Sequence, residues 1–486
     1  MTLPHTPEGH GTPEPSSPVA AGGIEQFGYT QELKRKLTFT DLLVYGLIFM
    51  VPIAPFAIFG SVFQASGGMV ATAYIVGMLA MMCTANSYAQ MAQAFPMSGS
   101  VYTYVGRGVA KVLGFVAGWM ILLDYILIPA LLYLAASIAM NGMIPGVPLW
   151  AWLLVFVALN TVINYLGIQF TARVNKVMLV LELLVLAVFL VIGFVAVAQG
   201  KGNGLTFEAF FNPSTFSWPL VFGAVSIAVL SFLGFDGIST LAEENSGTSK
   251  SLGRSMIFAL LLVGVLFVVQ TWVAAMLVPH PDQLIAKGDV AGTAFYQAAA
   301  QAGGPFMFVL TAAATAIAWG FANALVAQAA TSRLLFAMSR DRQLPKFLSK
   351  IDPKHGVPVN ATFVVAGISL VLGLYLTWLP DGLSAISVLV NFGALTAFVL
   401  LNVAVIWWFM VKQRSRRWFV HLILPGLGLL ILLAVIYNAR ASAQILGVIW
   451  LAVGIVLAII LRKRGRMTDP TAAGTASIDA AEEPAR

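Results

Sequence analysis

The sequence predicts an all-α membrane protein of twelve transmembrane helices, arranged as two inverted repeats of five spans with helices 1 and 6 broken, plus two further spans. Three observations predict it. The 486-residue chain is 59% hydrophobic and only 10% charged, against roughly a quarter charged in soluble domains. It holds twelve apolar runs, centred near residues 51, 81, 126, 157, 184, 230, 267, 318, 369, 396, 427 and 452, and a helix needs about 20 such residues to cross a hydrocarbon core of roughly 30 Å. The first and sixth runs carry helix-breaking residues in their middles.

Residues 1–37 form the first element, a Pro-, Gly- and Ser-rich stretch with TPEGHGTPEPSSPVAAGG that reads as a disordered cytoplasmic tail. No apolar core precedes a cleavage site, so it does not read as a cleavable signal peptide. Residues 38–410 hold spans 1 to 10, residues 411–463 hold spans 11 and 12, and residues 464–486, ending DAAEEPAR, form a second structureless tail. With both termini cytoplasmic, all Lys and Arg residues but Lys201, Lys287 and Arg440 fall on the inner side. That is the bias of the positive-inside rule for a plasma-membrane (inner-membrane) protein. The net charge of +7 is therefore topological, and nucleic acid is excluded as a partner. The single cysteine, Cys83, lies in span 2 and permits neither an intrachain disulfide nor a cysteine metal site.

Span 1 reads TDLLVYGLIFMVPIAPFAIFG, with Pro52 and Pro55 near its middle. Span 6 contains LSFLGFDGISTLAEE, with Gly234 and Gly237 around Asp236. Proline removes a donor and clashes with the preceding turn, and glycine is the next poorest helix former. Broken spans leave unpaired backbone that lipid tolerates only inside protein or beside a wet cavity. Either interruption alone reads first as a packing kink. Together, at matching places in two halves, they point to a secondary transporter with its site at the breaks.

The motifs FPMSGSVYTYVGRG (95–108), GFVAGWMILLDYILIP (114–129), LSFLGFDGISTLAEEN (230–245), SRLLFAMSRDRQLPKFLSKIDPKHGVP (332–358) and LVNFGALTAF (389–398) occur in that order. On these residues the chain resembles permeases of the amino acid, polyamine and organocation superfamily, across nearly the whole membrane domain. It is most similar to the putrescine-importer group, which likewise puts prolines where amino acid permeases carry Gly-x-Gly in span 1. The resemblance implies the leucine-transporter fold, with substrate held between spans 1, 3, 6 and 8. It also implies a departure at Leu230, where some antiporters of the superfamily keep a gating tryptophan.

In such permeases, amides at the broken first span hold the substrate's carboxylate, where a helix N-terminus offers donors and a positive dipole end. Here Pro52 and Pro55 remove two donors and leave Ile53, Ala54 and Phe56. That favours a substrate without a carboxylate. At span 6 the helix ending near Leu233 offers carbonyls and a negative dipole end to an ammonium group, with Gly234 at the break and Asp236 following. Phe232 and Phe235 are candidates for cation–π contact, worth roughly 0.5–2 kcal/mol. Asp236 either meets a cation or caps the second half-helix. Asp124, thirteen residues past Lys111 and so about 20 Å along the helix, is the second acid. It either completes a diamine site with Tyr125 beside it or hydrogen-bonds a neighbouring span. Glu182, nine residues past Arg173, is a candidate for proton coupling, because low dielectric disfavours a carboxyl's charged form; the alternative is a structural hydrogen bond. In several related permeases the matching place holds a lysine, so the resemblance leaves the coupling ion open between proton and sodium. Trp319 in span 8 and Tyr102 and Tyr104 near span 3 are weaker candidates, since aromatic residues in spans usually serve packing. Arg333, Arg340, Asp341 and Arg342 read as packing and topology, and Gly114 and Gly118 as a close helix contact.

No Walker A loop occurs, and His5, His10, His280, His355 and His421 fall in tails, loops or at a span end, which argues against an enzyme. No cofactor and no metal site are expected. A channel would need a selectivity ring along a pore, and none recurs. The sequence thus predicts an importer of a small cationic amine, putrescine or a similar polyamine, driven by a proton gradient through alternating access. An amino acid permease and a transporter-like receptor are the alternatives.

Overall fold

A computed structural model describes residues 35–464 apart from 99, 145, 167, 290, 291, 380, 381 and 440. The expected tails lie outside these residues except for 35–37 and 464. Among the described residues the regular elements are helical, and the one β contact is an isolated bridge between Leu37 and Asn245.

Span 1 begins as α1 (Phe39–Met50), fixed by a capping box in which Thr38 Oγ1 accepts the Asp41 amide and the Asp41 carboxylate accepts the Thr38 amide. It stops at Val51, whose φ is 52°, and α2 (Pro55–Ala65) leaves at a 53° bend. Pro52 thus lies in the break, whereas Pro55 is the first residue of the second half-helix, where its missing N–H costs nothing. Span 2 is α3 (Val70–Ala94), followed by the short α4 (Ser100–Gly108), and spans 3 to 5 are α5 (Lys111–Met143), α6 (Leu149–Tyr165) and α7 (Ile168–Ala198). Span 6 starts as α8 (Trp218–Ala228), tightens into a 3₁₀ turn at Val229–Phe232, breaks at Leu233 and Gly234, and resumes as 3₁₀ helix Phe235–Leu241.

Span 7 is α9 (Ser249–Leu277), and α10 (Pro281–Lys287) and α11 (Ala294–Gly303) precede span 8. That span comprises α12 (Pro305–Ile317), a π-helical turn Ala318–Asn323 and α13 (Ala324–Arg340). Then come α14 (Val359–Leu376), α15 (Gly382–Val405), α16 (Leu424–Tyr437) and α17 (Ala441–Lys463). Among the described residues ten segments are long and apolar enough to cross a bilayer alone, and the bent α1–α2 pair, taken as one span, makes an eleventh. The remaining expected span, α6, has 17 residues, short of the roughly 20 of a perpendicular crossing.

Glycines let the elements that carry the breaks touch. A Cβ on Gly237 would lie 2.4 Å from the Phe49 ring, and one on Gly234 2.7 Å from it. Gly234 also has φ 115°, open only to glycine without strain. Gly234→Ala is therefore expected to cost about 1–3 kcal/mol from backbone strain alone and to push Phe49 out of the break. A thermal-unfolding scan in detergent beside an uptake assay checks this, and a variant matching wild type in both would contradict it. Gly114 and Gly118 similarly seat α4 on α5, their absent Cβ atoms meeting Gly106 and Tyr102. Gly393 lets α15 approach the backbone of α5 at Met120 and Asp124.

The two ends of the bundle are closed by different chemistry. At one, here the basic face, Arg340 forks onto Glu243 at 2.9 and 3.0 Å, and Arg333 pairs with Glu244 through Nε and Nη2. The Ser98 amide also donates to Glu243 at 3.0 Å, Tyr102 donates to Asp341, and Lys176 pairs with Asp41 at 2.6 Å. These contacts tie α13, the end of span 6, the α3–α4 segment, α1 and α7 together. On the other side of the span 1 break Phe56, the second residue of α2, stacks on Phe295 of α11 at 3.9 Å, with Phe189 of α7 4.7 Å from Phe295.

Candidate functional site

Asp236 sits where the two broken spans meet. Its Oδ1 accepts the Gly234 amide at 3.3 Å, across the break itself. Its Oδ2 accepts the Tyr125 hydroxyl of α5 at 2.7 Å and faces the Tyr88 hydroxyl of α3 at 3.5 Å, which in turn meets Ser100 at 3.1 Å. The carboxylate is held by span 6 and read by spans 2 and 3. The N-cap of the second half of span 6 is Gly234, so the aspartate is turned toward the tyrosines and not into a forward cap. Tyr88 was missed from the sequence, since a lone tyrosine in an apolar run carries no spacing signal.

The ring of Phe49 packs edge-on against Tyr125, 6.4 Å between centroids, and covers both glycines. It brings the C-terminal end of α1 to the end of the 3₁₀ turn of span 6. Two helix C-termini, each a partial negative charge, therefore converge beside a carboxylate. That arrangement suits a cation.

The break in span 1 is poorer in donors than the sequence implied. The Ala54 amide donates to Val51 O at 2.8 Å and the Phe56 amide to Ile53 O at 3.0 Å. With Pro52 and Pro55 lacking N–H groups, Ile53 alone among residues 52–56 has an amide without an acceptor among the described residues. Gln270 of α9 holds the Pro52 carbonyl at 2.9 Å.

The remaining candidates are placed as follows. Asp124 is 1% exposed on α5, with Oδ1 unpartnered among the described residues. Its neighbour Tyr125 is fixed from behind by Thr331, which donates to the Tyr125 carbonyl at 2.6 Å. Phe232 turns to Tyr74 and Phe267, and Phe235 to Tyr88 and Phe398, so both rings are engaged in aromatic packing. Leu233 is the buried extended residue of the break. Trp319 is the second residue of the π turn of span 8, and its indole nitrogen is unpartnered among the described residues; such turns gather at functional sites. Glu182 lies apart from Asp236. It belongs to the buried stripe Leu179, Glu182, Leu186 and Phe189 of α7, and both carboxyl oxygens lack a hydrogen-bond partner among the described residues. No group of three or more His, Cys, Asp or Glu among the described residues could hold a metal ion.

Asp236 is 0%, Asp124 1% and Tyr125 2% exposed. The site is sealed from both ends.

A family model described as amino acid permease matches residues 38–471. The low-affinity putrescine importer PlaP of Escherichia coli (strain K12) is 31% identical over 454 residues, covering 90% of this chain and 96% of its own length. The branched-chain amino acid permease BcaP of Bacillus subtilis (strain 168) is 28% identical over 469 residues, or 89% of this chain and 94% of its own. The methylthioribose transporter of the same organism is 24% identical over 469 residues, or 90% and 95%.

Proposed function

The chain belongs to the amino acid permease family of transporters, and from that premise we propose that it imports a small cationic amine, putrescine or a similar polyamine, by alternating access. The observation that carries this reading is the imbalance of the two breaks. Span 6 offers a buried carboxylate read by Tyr125, while span 1 keeps one open amide in place of a set. An ammonium group is served and a carboxylate is not. Asp124, with an open oxygen one residue from Tyr125, supplies the second charge of a diamine, since two buried charges are tolerated when each is matched. The similarity to a putrescine importer supports the same choice.

Coupling to protons runs through Glu182. Its two unpartnered oxygens on a buried stripe would make a permanent charge there very costly, so a carboxyl that takes up and releases a proton with each opening fits the position. Placement in the plasma membrane with both termini cytoplasmic follows from the distribution of Lys and Arg.

The test is uptake of radiolabelled putrescine into proteoliposomes with and without an inward proton gradient, with labelled neutral amino acids alongside. Gradient-stimulated putrescine uptake is expected, and Glu182→Gln is expected to abolish the stimulation while leaving binding within about threefold. Stimulation that survives in Glu182→Gln would remove the coupling role. Accumulation of a neutral amino acid in place of putrescine would favour an amino acid permease, a reading that the open Ile53 amide and the likeness to a branched-chain amino acid permease support.

A further inference from the structure

We propose that Gln270 sets substrate specificity at one remove, by orienting the peptide between Pro52 and Ile53 so that the Ile53 amide is the single backbone donor for an acceptor atom on the substrate. The inference rests on the breaks being the substrate site, and not on which amine is preferred there.

Gln270 is fully buried on α9, and its Nε2 bonds both Pro52 O at 2.9 Å and Leu266 O, one turn back on its own helix, at 3.0 Å. Two carbonyls facing one amide nitrogen fix which end of the side chain points there, because the amide oxygen would repel both. Oε1 is left buried and unpartnered among the described residues. The peptide after Pro52 is trans, as no cis bond occurs among the described residues. In a planar trans peptide the N–H points opposite to the carbonyl. Anchoring Pro52 O to α9 therefore aims the Ile53 N–H away from α9.

Ile53 is fully buried, and its N–H has no acceptor among the described residues. Buried backbone donors are almost always satisfied. A donor held in a fixed direction by a dedicated side chain, and left open in the sealed protein, is matched by one acceptor on a bound molecule. One donor suits one neutral oxygen better than the two oxygens of a carboxylate. Among cationic amines, one that carries a hydroxyl or carbonyl oxygen on its chain is therefore favoured over the plain diamine of the same length.

The experiment measures KM in proteoliposomes for 1,3-diaminopropane and for 1,3-diamino-2-propanol, the same skeleton with one hydroxyl, in wild type and in Gln270→Met. The ratio of the two KM values is the readout. The hydroxylated amine is expected to lose its advantage in the variant, the ratio changing by roughly three- to tenfold, the size of one neutral hydrogen bond. A merely structural role would raise both KM values and leave the ratio in place, which overturns the proposal. Should Gln270→Met not fold, Gln270→Asn asks the same question, since it keeps a donor but draws it back by one methylene. Should no diamine be taken up, the amine reading fails separately, and the ratio is read on leucine against 3-methylbutylamine, with an unchanged ratio again decisive against Gln270.

Discussion

Asp236→Asn is expected to lower the efficiency of amine uptake by about two to three orders of magnitude, while leaving the protein folded. The substitution keeps shape and still offers an oxygen to Tyr125, whose hydroxyl donates to Oδ2 at 2.7 Å. It removes the charge and one of the two acceptor oxygens, so that the remaining oxygen serves either Tyr125 or the Gly234 amide. Truncating one partner of a buried, hydrogen-bonded charge pair costs about 2–5 kcal/mol, and each 1.4 kcal/mol is tenfold. The loss should fall on KM if the carboxylate meets the cation equally in every state, and on the turnover rate if the contact tightens on occlusion. Uptake by Asp236→Asn within threefold of wild type would show that the aspartate serves the break alone, through the Gly234 amide.

The second large effect lies at the basic face. Arg333 is 4% and Glu244 3% exposed, so removing one leaves the other charged, buried and alone. Arg333→Met is expected to destabilise the closed protein by about 3–5 kcal/mol. Arg333→Met combined with Glu244→Gln is expected to recover most of that, because the pair's attraction is largely offset by its desolvation. Apparent melting temperatures in detergent of the two single variants and the double variant form the cycle. Single variants that melt with wild type would mean that water already reaches the pair. The fork of Arg340 on Glu243 is kept in all three, so the face is weakened and not dismantled.

Much of the architecture was legible because lipid constrains sequence so strongly. The runs centred near 51 and 230 fall on the observed breaks, since proline and glycine act through the local backbone. Their separate roles were less legible. Pro55 starts a helix, and Gly237, which has no left-handed backbone, is there to admit Phe49. Both facts depend on a partner element. Within the site, Asp236 and Asp124 could be singled out because acids are costly in lipid, and Tyr125 as the neighbour of Asp124. Tyr88 and Gln270 could not, since each acts across spans at a sequence separation of more than a hundred residues, 148 for Tyr88 with Asp236 and 218 for Gln270 with Pro52. The glutamates at the end of span 6 were read as part of a motif. Their pairing with Arg333 and Arg340 is a fact of three dimensions.

In the alternating-access cycle proposed above, the two closures of the bundle give two thermodynamically unlike halves. Opening at the aromatic end parts Phe56, Phe295 and Phe189 and wets apolar surface, a step that raises the heat capacity and becomes easier on cooling. Opening at the basic face parts ion pairs and returns charges to water, so hydration of the freed ions repays part of the separation, and does so less well as temperature rises. Temperature therefore acts on the two half-cycles through different terms, and the balance between outward and inward opening is a property of what each end is made of as much as of the substrate between them.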